Sequence, residues 1–202
     1  MINISEKIEL SYDEFLKEVK KAKKFHGHVC GGIYTGVKLA LVAKKIMNYK
    51  KFPARDLIVI TEIDRCLTDA IMSVTGCRFG RKTLKIKDYG KFGATFCSLA
   101  TGEAVRIVSC PKSMNKTKKA MENQNIDEHD KEKMGEMIFN VPVREQFIIK
   151  EASVCFSEYE LPGKPKIIEP CSVCGENIFD GKHVVEKGEI YCRPCLERRS
   201  FD

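Results

Sequence analysis

Hydrophobic positions along the chain recur first at helical and then at strand spacing. Ser11-Tyr12-Asp13-Glu14 has the form of a capping box and predicts a helix through about Lys24, with Phe15, Leu16, Val19 and Ala22 as its apolar face. The pattern breaks at Phe25-His26-Gly27-His28. From Gly32 to about Met47 it turns helical again, with Ile33, Val37, Leu41 and Ile46 in step. The small residues Gly31, Gly32, Gly36 and Ala40 allow close packing at the start of that helix. Leu57 to Ile63 is rich in β-branched residues and predicts a buried strand. Cys66 to Thr75 predicts a helix closed by Gly76.

Three further strands are predicted at 84–88, 94–99 and 104–109. Turn residues at Gly90 and Gly102 suggest that they are antiparallel neighbours. Residues 112–139 predict two helices broken near Asn125, and Phe147 to Val154 predicts a last strand. Leu161-Pro162-Gly163-Lys164-Pro165 reads as a linker. The expected organisation is therefore an α+β core domain over residues 1–160, a linker over 161–169, and a small module over 170–202. The core is expected to be an antiparallel or mixed sheet packed by helices.

That module changes the picture most. It holds Cys171-x2-Cys174, a 17-residue gap, and Cys192-x2-Cys195. Four thiols at this spacing can close a tetrahedron around one Zn²⁺. A knuckle, a hairpin and a ligand pair at a helix start give the pattern of a treble-clef zinc finger. Domains below about 40 residues usually need a metal or disulfides to fold, and structural zinc can supply roughly 10–16 kcal/mol of apparent binding energy. Two disulfides, or redox-active C-x2-C pairs, are the competing readings.

Composition sets bounds. The chain has 202 residues, 43% hydrophobic and 31% charged, as expected of a globular protein. Its start lacks the apolar core of a signal peptide, and no apolar run approaches the ~20 residues of a membrane span. A cytosolic protein is expected, with ten cysteines serving mainly as thiols or ligands. The net charge is +7, yet the tail from residue 170 holds five basic against six acidic residues, so the excess lies before it. Lys17, Lys20, Lys21, Lys23 and Lys24 crowd one helix, and Arg78, Arg81, Lys82, Lys85, Lys87 and Lys91 crowd a second region. No aromatic stripe interleaves them, which argues against single-stranded nucleic acid and for a solvated surface.

His26-Gly27-His28-Val29-Cys30-Gly31-Gly32 places two imidazoles and a thiol within five positions, at a break between helices. Imidazole and thiolate suit Zn²⁺ and related transition metals. Cys30 precedes a helix, whose N-terminal partial charge favours thiolate, and a neighbouring histidine can act as a base. The same spacing also suits a buried turn whose histidines bond to backbone groups. Cys66 opens the next helix with Asp69 on its first turn, and Cys77 sits in a glycine-bracketed turn. His26, Cys30, Cys66 and Asp69 are therefore the candidate catalytic set. His28, Cys30, Cys66 and Cys77 are the candidate core metal ligands. Arg65, Arg78 and Lys91 are the candidate contacts for an anionic ligand. Cys97, Cys110 and Cys155 are expected to be packed in or near strands, and His129 and His183 to lie at the surface. No dinucleotide-binding glycine motif or ferredoxin-type cysteine run is present.

Phe25-His26-Gly27-His28-Val29-Cys30-Gly31-Gly32, Arg65-Cys66-Leu67-Thr68-Asp69-Ala70-Ile71, Thr75-Gly76-Cys77-Arg78-Phe79-Gly80 and Asp88-Tyr89-Gly90-Lys91 together resemble FmdE, the family named for a component of formylmethanofuran dehydrogenase. The family's loop often reads Cys-Pro-Gly; here Gly31 stands in the proline's place, which loosens the turn. The resemblance implies an α+β core, a homodimer, a metal or active site around the His/Cys loop, and in some members an appended treble-clef finger. It also implies a setting beside tungsten or molybdenum enzymes of one-carbon metabolism, as in methanogenesis.

Three functions compete. One is a metal-dependent protein of formylmethanofuran or pterin-linked metabolism, with a divalent transition metal in the core and a pterin-linked or anionic small-molecule ligand. Another is a regulatory or protein-docking module acting through the finger, whose near-neutral charge argues against direct nucleic-acid binding. The third is metal delivery to a partner enzyme. An oxidoreductase role is open only as an associated component.

Overall fold

A computed structural model describes residues 8–123 and 130–199. The chain divides into two compact units, Met1–Val154 and Cys155–Asp202. The first is built of α1 (Tyr12–His26), α2 (Gly31–Ile46), β1 (Leu57–Thr61), α3 (Cys66–Thr75), β2 (Leu84–Ile86), β3 (Gly93–Ser98), β4 (Ala104–Ser109), α4 (Pro111–Asn123), α5 (Lys131–Asn140), α6 (Val143–Gln146) and β5 (Phe147–Ala152). The architecture is α+β, as the pattern predicts. The expected break near Asn125, and His129, lie outside the described residues.

The sheet order is β2-β1-β3-β4-β5. β2 does not neighbour β3; it runs parallel to β1, with Val59 opposite Leu84. The reason is α3, which carries the chain from the end of β1 back to its start, so that β2 must run in the same direction. Only then do β3, β4 and β5 follow as antiparallel neighbours.

Leu57 and Val59 of β1, Ala94 and Phe96 of β3, and Val105 and Ile107 of β4 share one face and join the buried side of the helices in one hydrophobic cluster. α1 contributes Phe15, Val19 and Ala22, while Leu16 stays exposed. The Ser11 half of the expected capping box forms, with Ser11 Oγ accepting from the Glu14 amide at 3.3 Å, while the Glu14 carboxylate accepts from Lys44 Nζ instead. α2 is buried nearly all round rather than on one face, and even Lys38 is 1% exposed. Its glycines explain how. A β-carbon at Gly36 would lie 2.7 Å from Ala70 Cβ of α3, so only glycine lets the two helices meet there. The α1 lysines named above are exposed, in keeping with a solvated face.

The second unit contains the hairpin β6 (Ile168–Pro170) with β7 (Asn177–Phe179), the hairpin β8 (Val184–Glu186) with β9 (Glu189–Tyr191), and α7 (Arg193–Arg199). It also takes in the Leu161–Pro165 stretch. Cys155 is exposed rather than packed, Cys110 is half-buried, and only Cys97 is as buried as expected. Burial pushes the Cys97 thiol up to about 11. His183 is half-buried, with its Nδ1 enclosed and without a hydrogen-bond partner among the described residues. No described helix is long and apolar enough to cross a membrane.

Candidate metal centre

α1 ends on His26, and Gly27 turns the chain out of the helix. Its φ of 97° lies in the left-handed region, and its amide donates to Lys23 O at 2.9 Å. The turn folds the next residues back on the helix end. The His26 and His28 rings stand 4.5 Å apart between centroids. Cys30 then serves as the extended N-cap of α2. A ligand atom from each of His26, His28 and Cys30 lies within 4.8 Å of the others.

α3 supplies the support. Asp69, one turn into that helix, holds His26 Nδ1 at 2.7 Å. A carboxylate only accepts, so the Nδ1–H donates and the neutral ring presents a lone pair at Nε2. His26 Nε2 is enclosed and has no hydrogen-bond partner among the described residues. Leaving a buried acceptor unpaired costs about 1–3 kcal/mol. A carboxylate behind a histidine whose other nitrogen is free is the arrangement that orients a metal-binding imidazole. The donor set of two imidazoles and one thiolate fits a divalent transition metal such as zinc with one position left for another ligand.

The remaining expected residues divide. Cys66, the first residue of α3, adjoins Cys30: a β-carbon on Gly32 would lie 3.0 Å from Cys66 Cβ and 3.5 Å from Cys30 Sγ. Burial, and then the Cys30 thiol, push the Cys66 thiol up, although it too stands at a helix start, where the partial positive charge favours thiolate. Cys77 is not brought to the centre. It is 3% exposed, its thiol faces Leu57 O at 3.6 Å, and burial pushes it up too. His26 takes the place in the donor group that spacing assigned to Cys66 and Cys77. Arg78 is engaged locally: its guanidinium donates to Met72 O and, at 2.8 Å, to Cys77 O, and it lies 5.1 Å from the Phe25 ring centroid. Arg65 caps α3 with its side chain exposed, and Lys91 is exposed.

Two buried charges escaped the sequence reading. Glu62 receives Arg106 through two bonds of 2.6 Å each, while its carbonyl accepts from the Tyr89 and Lys91 amides. That pins the 89–91 turn to the end of β1, beside the start of α3. Lys38 donates to Ile138 O, Phe139 O and Val141 O, at 3.0, 2.8 and 2.5 Å. The only sequence signal for either was a charge within an apolar run.

In the tail, Cys171, Cys174, Cys192 and Cys195 form the second donor group, again within 4.8 Å of one another. Gly175, at φ 73°, closes the knuckle by donating to Cys171 O at 2.9 Å. Cys195 sits in the first turn of α7. The amides of Cys174, Cys192 and Val173 draw the Cys171 thiol down to about 6, whereas the adjoining Cys192 thiol and burial push Cys195 up to about 12. Four crowded sulfurs cannot all ionise on their own charge; a dication resolves the conflict. The group can bind a metal ion, and its all-thiolate donors suit zinc.

A solved structure from Syntrophus aciditrophicus, an FmdE-like protein of the tungsten formylmethanofuran dehydrogenase kind, matches with a TM-score of 0.61 at 20% identity, covering 90% of this chain and 91% of that one. At that identity the likeness speaks for the fold. A curated protein of Archaeoglobus fulgidus, a probable S-adenosyl-L-methionine-binding protein, is 30% identical over 108 residues. The match takes in 50% of this chain but only 30% of that relative's length. The model of the family described as FmdE, molybdenum formylmethanofuran dehydrogenase operon, matches residues 25–148, a stretch that contains the His/Cys turn, α2, α3 and strands β1 to β4, and begins at the last two residues of α1. With more than half of its length matched to that model, the chain belongs to the FmdE family.

Proposed function

We propose that the protein is a metal-binding accessory of one-carbon metabolism, acting in the cytoplasm beside a tungsten or molybdenum enzyme of formylmethanofuran or pterin-linked chemistry. A divalent transition metal is held by His26, His28 and Cys30, and a structural zinc by the four tail cysteines. The observation that carries this reading is the enclosed, unpaired Nε2 of His26, aimed by Asp69 from the opposite nitrogen. The family description and the subject of the related structure support the metabolic setting.

When bound, the metal supplies Lewis acidity toward a carbonyl or thiol ligand at its open position. The protein's own residues do the rest. Asp69 fixes the His26 tautomer. Cys66, next to Cys30, would serve as a thiol able to give a proton. Arg65 and Lys91, both exposed, draw an anionic ligand toward it. A pterin-linked or other anionic small molecule fits that charge. We read residues 1–160 as the core domain and 170–202 as a separate finger domain, and we expect a homodimer.

Elemental analysis of anaerobically purified protein tests the metal centre. Two ions per chain are expected, falling to one in Cys30→Ala. One ion in both would overturn the core site. The name of the Archaeoglobus fulgidus relative favours a second reading, in which the ligand is S-adenosyl-L-methionine. Calorimetric titration with that compound separates the two: binding unaffected by Cys30→Ala places the cofactor away from the metal.

A further inference from the structure

Cys30 and Cys66 are the two core thiols that the fold brings face to face. One caps α2 and the other opens α3. The helix starts can approach because Gly32 and Gly36 lack side chains, and a single β-carbon on Gly32 would touch both cysteines. Both thiols are half-buried and free, so a small oxidant can reach them, unlike those of Cys77 and Cys97. Cys30 belongs to the donor group with His26 and His28, and Cys66 does not. Any bond between the two sulfurs therefore removes one donor of three.

Resting on the metal reading above, we propose that Cys30 and Cys66 form a reversible disulfide under a hydroperoxide, and that this bond releases the core metal. One thiol's sulfur attacks the terminal peroxide oxygen, breaking the O–O bond and giving a sulfenic acid and an alcohol. The second sulfur displaces the hydroxyl as water and closes the S–S bond. Two thiols lose two protons and two electrons, and the peroxide is reduced to alcohol and water. The two imidazoles that remain are a weaker site than three donors. A small dithiol reverses the step by exchange and restores Cys30 to the metal. Closure requires Cβ atoms about 3.5–4.5 Å apart, and Gly32 brings the start of α2 to the Cys66 side chain.

The test uses the full chain, loaded with zinc without air, treated with stoichiometric tert-butyl hydroperoxide, alkylated and mapped by mass spectrometry. A cross-linked peptide joining Cys30 to Cys66 is expected, with fragmentation separating Cys66 from Cys77. One of two ions per chain should pass to a chromophoric chelator at least tenfold faster than before oxidation, and dithiothreitol should restore it. Cys66→Ala should abolish the cross-link and slow oxidant-driven release at least tenfold. Recovery of both residues as free thiols or sulfinic acids, or paired with tail cysteines, overturns the proposal. So does loss of an ion from Cys66→Ala before oxidation, which would make Cys66 a ligand itself. A protein without any core ion ends the metal reading and the release step together, while the peptide map decides on its own whether the two sulfurs join.

Discussion

The core turn and the tail bring similar donors together in opposite ways. In the tail, four sulfurs 24 residues apart at their extremes are gathered by two short hairpins and one short helix, and the small buried cluster there holds only Cys171, Ile178 and Cys195 among the described residues, with Cys174 exposed. In the core, three donors sit on the rim of a cluster that already contains Phe15, Ile33, Val37, Leu67, Ile71 and Phe96. With so little apolar burial, we expect the tail to need an ion for its fold. The core donors stand on a fold that apolar burial has already made. The contrast teaches that a metal group's role follows from what surrounds the ligands more than from the ligands themselves.

The largest expected effect breaks this contrast if it fails. Chelation, or Cys171→Ser with Cys174→Ser, should unfold the tail outright, a loss on the order of 10 kcal/mol. Tail amide resonances should collapse while core resonances stay. Concerted melting of both would end the distinction.

Next come two core substitutions that should leave the tail alone. Gly36→Ala drives a methyl against Ala70 Cβ and the Leu67 backbone, and should cost about 1–3 kcal/mol in chemical denaturation. Lys38→Met leaves the three carbonyls at the end of α5 without their donor, for about 3 kcal/mol. A smaller effect is expected from Asp69→Asn. Core metal affinity should fall about 10–100-fold by competition titration, with thermal stability of the metal-free protein nearly unchanged.

The smallest effect is a pH slope. Burial lowers Lys38 to about 8 from its ordinary 10.5. Below about 8 both folded and unfolded chains hold the proton, and the cost of the buried charge is carried in full. Between about 8 and 10.5 the unfolded chain binds more proton, so this group makes stability rise with pH. A gain of about 1 kcal/mol is expected, reduced from the full shift because carbonyl oxygens at a helix end favour the ammonium. Denaturation midpoints at pH 8 and 10, compared with Lys38→Met, isolate it.

Much of this was readable in the chain because it is local. The Ser11 cap, the Gly76 stop and the Cys66–Thr75 helix depend on neighbours within a few positions, and so do both cysteine knuckles. What failed depends on partners far along the sequence. The direction of β2 is set by how α3 crosses the sheet, which turn residues do not encode. Lys38 reads as a surface residue until α5, a hundred residues later, lays its carbonyls over the ammonium. Cys77 looked like a ligand by residue type, yet the turn that holds it points its sulfur at β1. The His26–Asp69 bond spans 43 positions; each residue was suspected, but not their pairing.

His26, His28 and Cys30 fall within five consecutive residues. Gathering them closes a very short loop, which costs little chain entropy. A growing polypeptide thus presents all three donors once residue 30 has left the ribosome, before any strand of the sheet exists. Ion capture does not have to wait for the scaffold to be complete. On the metal reading proposed above, Asp69 arrives behind the first imidazole only afterwards, so the order of synthesis would become an order of loading.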